Sequence, residues 1–194
     1  MFGLDGRVEC HHDVVILTAM RNAMTRAERM RRTAKLCLNC LRNCAYLRAA
    51  ANKMDDWHDE QFWIGVHNNF LDIAVLEWCK IFADQNGKHF WKKSVADHQK
   101  FLDALLDHLR LTEDMFDDYI ESIKRYRDKF VAHLDKENRM DIPNMATVIK
   151  SSQFLYQHLY DVEDDCGVMP HDAPPKAVPY FREFLNEGNA IYAN

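Results

Sequence analysis

Residues 13–54, DVVILTAMRNAMTRAERMRRTAKLCLNCLRNCAYLRAAANKM, decide the fold class. Apolar or small side chains recur at Ile16, Met20, Ala23, Ala27, Met30, Ala34, Cys37, Leu41 and Cys44, in steps that alternate four and three. That is the seam of a helix lying nearly parallel or antiparallel to its neighbours, about 40 Å long at about 1.5 Å per residue. The small Ala and Cys residues on it predict close helix approach, so Cys37, Cys40 and Cys44 read as core residues. As metal ligands they lack a fourth donor and a knuckle.

Working outward, residues 59–84 carry Phe62, Trp63, Val66, Phe70, Ile73, Ala74, Trp78, Ile81 and Phe82. An apolar arc that wide predicts a buried central helix, ended by the turn residues Gln85-Asn86-Gly87. A third helix is expected over 94–109. Thr112 with Glu113 and Asp114 reads as the cap and acidic first turn of a fourth, and Pro143 and Gly167 bracket a fifth. Of five Pro, four (Pro170, Pro174, Pro175, Pro179) fall late in the chain. The expectation is an all-α up-and-down bundle of four to five helices over residues 1–167. A Pro-rich C-terminal arm, 168–194, would carry a short helix over 180–185 that docks on the body or on a second copy.

At 194 residues, 47% hydrophobic and 11% aromatic, the chain can bury a full core. No apolar run approaches the ~18 residues of a membrane span, no leader is apparent, and the six Cys suit a reducing compartment, so a cytoplasmic protein without membrane contact is expected. Net charge is -5, but Ile16–Lys53 carries +8 and the remainder -13. Basic residues there, Arg29, Arg31 and Arg32 among them, form a candidate RNA-binding face; the alternative is a solvated face paired with the acidic remainder.

The chemistry concentrates at Arg127-Asp128-Lys129-Phe130-Val131-Ala132-His133-Leu134-Asp135. A guanidinium can clamp a phosphate through paired hydrogen bonds, and an imidazole can move protons near neutral pH. Arg-x4-6-His spacing alone arises by chance about twice in a chain with this many Arg and His, and Arg7 with His12 also satisfies it. The surroundings distinguish the later pair: a polar residue follows the Arg, Ala precedes the His, and Asp135 lies two beyond. Without that context the pair would be a helix-terminal His and a surface Arg.

In this extended form the string resembles the HEPN superfamily, particularly its AbiU-type abortive-infection branch, and the block His67–Lys93 is similar to bacterial proteins of that branch. The resemblance covers residues 61–160. It implies a helical domain acting as a metal-independent endoribonuclease, with catalytic Arg127, Asp128 and His133, and a toxin or phage-defence role with an antitoxin partner. It implies equally well a catalytically silent binding or regulatory module. Lys129 would add a phosphate contact. On a regular α-helix, six positions turn about 600° and leave Arg127 and His133 some 120° apart. One remedy is unwinding before His133; the other, which the resemblance favours, is a homodimer with both motifs at its two-fold axis.

Glycine-rich phosphate loops, nucleophile elbows and Glu-x-x-His pairs are missing from the sequence, so no metal or cofactor is called for. His67, beside Asn68 and Asn69, is expected to be a hydrogen-bonded, buried His; the alternative is that it lines a pocket or contacts nucleic acid. Trp57, Trp63, Trp78 and Trp91 keep open a structural or small-molecule-binding bundle. Both Arg127 and His133 are expected to be exposed enough to be dispensable for folding.

Overall fold

A capping box opens the first helix: Thr25 N–H donates to Glu28 Oε2 (2.9 Å) and Glu28 N–H to Thr25 Oγ1 (3.2 Å). The computed structural model describes residues 24–51, 61–131, 142–164 and 167–193. Among these the chain forms six α-helices: α1 Arg26–Ala51, α2 Gln61–Phe82, α3 His98–Leu109, α4 Glu113–Tyr126, α5 Met145–Asp161 and α6 Ala177–Tyr192. A 3-10 turn, Trp91–Lys93, precedes α3, and a π-helical turn, Arg127–Val131, continues α4. The all-α bundle is as expected.

The hub is α1, where the sequence pattern points to the second helix. α1 packs on α2, α5 and α6 together. Its seam residues Met30, Ala34, Cys37, Leu41 and Cys44 are buried, with Ala45 and Ala49 widening the arc. Small side chains let three helices approach one. Gly188 of α6 shows how closely, because a Cβ there would lie 2.8 Å from Ala49 Cβ. Burial pushes the thiol of Cys37 well above its ordinary range, which suits a core residue.

α2 runs antiparallel to α1, with Cys40 Sγ against the Ala74 carbonyl and the Tyr46 and Phe70 rings 5.2 Å apart. Only its C-terminal half is buried: Leu71, Ala74, Val75, Trp78, Cys79, Ile81 and Phe82. Phe62, at 70% exposure, and Ile73 stand in solvent, so the pattern overstated the burial of this helix. Trp78 is fully enclosed, and its indole N–H donates to Ser151 Oγ of α5 (2.9 Å).

The remaining elements follow their local chemistry. Asp97 caps α3, Thr112 caps α4 and Asn144 caps α5, each side chain accepting from a first-turn N–H. Gly167 (φ 63°) takes the left-handed conformation after α5. Buried Glu163 ties three segments, accepting from Arg26, from the Ala96 N–H (2.8 Å) and from His158 Nε2 (3.2 Å). Residues 168–176 fold back on α5, and the helix expected over 180–185 is longer, α6 Ala177–Tyr192, and docks on α1. Tyr156 Oη donates to the Pro174 carbonyl (2.7 Å), and Gln157 Nε2 to that of Pro175 (3.2 Å).

Candidate functional site

Arg127 begins the π-turn that ends α4. The i→i+5 bonding of such a turn is rare and frequently marks functional sites. It also changes the angular relation along the motif that a regular α-helix would impose, so the 120° separation expected from α-geometry does not carry over to residues 127–131.

The guanidinium is held on two sides. Nε donates to Asp128 Oδ1 (2.8 Å) and Nη1 to Asp84 Oδ1 (2.6 Å). Only 16% of the Arg127 side chain is exposed, against 55% for Asp128 and 38% for Asp84. Arg127 is therefore packed and anchored, contrary to the expectation that it would be exposed. Burial by itself weakens the charged form, but the hydrogen bonds to Asp128 and Asp84 outweigh it and hold the guanidinium above its ordinary pKa.

Asp84 is the member that sequence reasoning missed. It lies just beyond α2 in the turn Asp84–Gly87, closed by Gly87 N–H donating to the Asp84 carbonyl (2.7 Å). A Cβ on Gly87 would sit 2.8 Å from that oxygen, so glycine lets the turn close and fixes the carboxylate facing Arg127. The turn chemistry was visible in the sequence; the ion pair across 43 positions had no local signal.

Beside this turn opens a cleft of about 660 Å³, whose walls include Asp84, Asn86, Asp117, Glu121 and Lys124. Asp84 is paired with Arg127 and Glu121 with Lys124 (2.7 Å), so the negative charge of these walls comes mainly from Asp117 and the cleft is weakly acidic. The structure thus brings Arg127 and Asp128 together and adds Asp84. Lys129 lies half-buried on the same turn. His133 and Asp135, and the competing pair Arg7 and His12, lie outside the described residues.

The basic residues of α1 are elsewhere. Arg31, Arg32 and Lys35 line a second cleft, of about 410 Å³, against the Pro170–Ala173 turn. Arg29 does not line it and is half-buried. No hydrogen bond or ion pair among the described residues links these side chains to Arg127.

Of the tryptophans, Trp78 and Trp91 are core residues, and Trp57 lies outside the described residues. Trp63 borders a small apolar cavity of about 280 Å³ with Tyr46, Phe70 and Tyr192. His67 is half-buried there, its Nε2 3.1 Å from Tyr192 Oη, and burial lowers its pKa. It is a hydrogen-bonded His, as expected, though not a fully enclosed one. No helix among the described residues is long and apolar enough to cross a membrane.

Compared with known proteins, the chain matches no family model, no curated protein and no solved structure.

Proposed function

We propose that the chain is a metal-independent endoribonuclease of HEPN type. The observation that carries the reading is Arg127, aimed by Asp128 and Asp84 on a π-turn that leads in sequence to His133. In the reaction, the 2′-hydroxyl of one nucleotide attacks the adjacent phosphorus and the bond to the 5′-oxygen of the next nucleotide breaks. The products are a 2′,3′-cyclic phosphate and a 5′-hydroxyl end. His133 takes and returns the proton, Arg127 stabilises charge on the phosphoryl oxygens, and Asp128 orients Arg127. Two copies would pair with their motifs at the two-fold axis, and an antitoxin would restrain such an activity in the cell.

The test is end-group analysis of cleaved single-stranded RNA. Cyclic phosphate termini, lost when the substrate is 2′-O-methylated, are expected. Termini bearing a 5′-phosphate would contradict a 2′-hydroxyl nucleophile.

A second reading, a non-cleaving binding module, is favoured by Asp84, which already occupies Arg127, and by the acidic walls of the adjoining cleft. Under this reading Arg127→Ala leaves RNA unaffected and lowers stability only. The apolar cavity beside Trp63 fits a variant of the same reading, in which a small molecule is bound.

A further inference from the structure

The cleft between α1 and the Pro170–Ala173 turn differs from an ordinary charged surface in three respects. Arg31, Arg32 and Lys35 line it with no ion pair among the described residues, whereas Arg26 and Arg127 have found carboxylates. The nearest acid along the helix, Glu28, is held in the capping box with Thr25 and interacts with Arg32 and Arg31 through their charge alone, without an ion pair. Asp172 on the opposite rim leaves the cleft with a net charge of about +2.

The opposite wall is also fixed. Ala173 N–H donates to the Pro170 carbonyl (2.9 Å), closing the turn, and Tyr156 anchors Pro174. Asp164 receives the backbone N–H groups of Val168 and Met169. A preformed wall spares a ligand the ordering cost that a mobile loop would impose. The floor, from Ala34, Leu38 and Met169, is apolar. The volume, about 410 Å³, exceeds what inorganic phosphate needs and falls in the range of small-molecule sites.

We infer that this cleft binds a nucleotide, its phosphate against Arg31, Arg32 and Lys35 and its base on the apolar floor, supplied either free in solution or as one unit of an RNA strand. Exposed guanidinium groups pair with phosphate oxygens through parallel N–H donors, and a planar base covers apolar surface that bare phosphate would leave wet. The site is independent of Arg127, so it stands whether or not the protein cleaves RNA.

The experiment is equilibrium binding to the full chain of a fluorescent 2′-O-methyl oligoribonucleotide, which cannot be cleaved through its 2′-position, and of AMP and GMP. Arg31→Gln with Arg32→Gln should weaken oligonucleotide binding at least 10-fold and reduce the slope of log K against log salt by about 1.4, the expectation for two lost contacts to a single strand. Arg42→Gln with Arg48→Gln removes the same charge from α1 outside the cleft and should change affinity less than 2-fold. Ala173→Trp fills the cleft without touching its cations and should abolish mononucleotide binding. Saturable binding of AMP or GMP identifies a free nucleotide as a ligand; binding of the oligonucleotide alone, lost in Ala173→Trp, identifies the strand. Equal weakening by both charge pairs, full binding by Ala173→Trp, or equally effective competition by polyglutamate would each overturn the inference.

Discussion

Arg127 is the residue on which the functional account turns, and its surroundings set two opposing demands. Two carboxylates hold the guanidinium in one place, yet they also compete with any phosphate for it. Replacing Arg127 by Ala leaves Asp84 and Asp128 facing each other without their cation, so about 1–2 kcal/mol of stability should be lost, read as a lower midpoint in urea. Asp84→Asn keeps an acceptor but removes one negative charge. With less charge competing for the guanidinium, it should lower the KM for RNA by 3- to 10-fold, corresponding to about 1 kcal/mol, while the loosened aim of Arg127 lowers kcat; an unchanged KM would show that Asp84 does not compete with phosphate. His67 and His89 offer a pH test. Burial lowers the pKa of both below the ordinary imidazole value, so each contributes stability above about pH 6.5 that is lost as the pH falls. Unfolding midpoints should therefore decline from pH 7 to pH 5, and less steeply after His67→Gln with His89→Gln. An unchanged decline in the double variant would remove these two groups from the explanation.

At the scale of elements, the alternation of four and three along α1 named its buried face correctly from Met30 to Cys44, because a seam is a local, periodic property; Ile16, Met20 and Ala23 lie outside the described residues. The caps of α3, α4 and α5 are local too, and the one expected at Thr112 is present. What the sequence concealed depends on neighbours. Whether the apolar first half of α2 is covered is decided by which helices reach it, and α6 was read as a fragment because its partner, α1, lies more than a hundred residues away. The capping box at Thr25–Glu28 was legible and overlooked. The close crossing of α1 and α6 is directly testable. Gly188→Ala puts a methyl group 2.8 Å from Ala49 Cβ and 3.2 Å from the Tyr46 ring, and should cost about 1–3 kcal/mol by calorimetry. A neutral effect would mean that the two helices separate easily.

For the whole molecule, charge is partitioned between two clefts: an acidic one beside Arg127 and a basic one between α1 and the Pro170–Ala173 turn. A strand bound to the basic face would have to reach Arg127 of the same chain or of a second copy. Mixing Arg127→Ala and His133→Ala chains asks whether copies share a site, since heterodimers would regain some activity if they do. The most direct test of the central claim is cleavage of single-stranded RNA by the purified full chain in excess chelator. The account predicts cleavage without divalent metal that falls by at least a hundredfold in Arg127→Ala and in His133→Ala, both still folded. Cleavage that requires Mg²⁺ or Mn²⁺ and survives His133→Ala would contradict it.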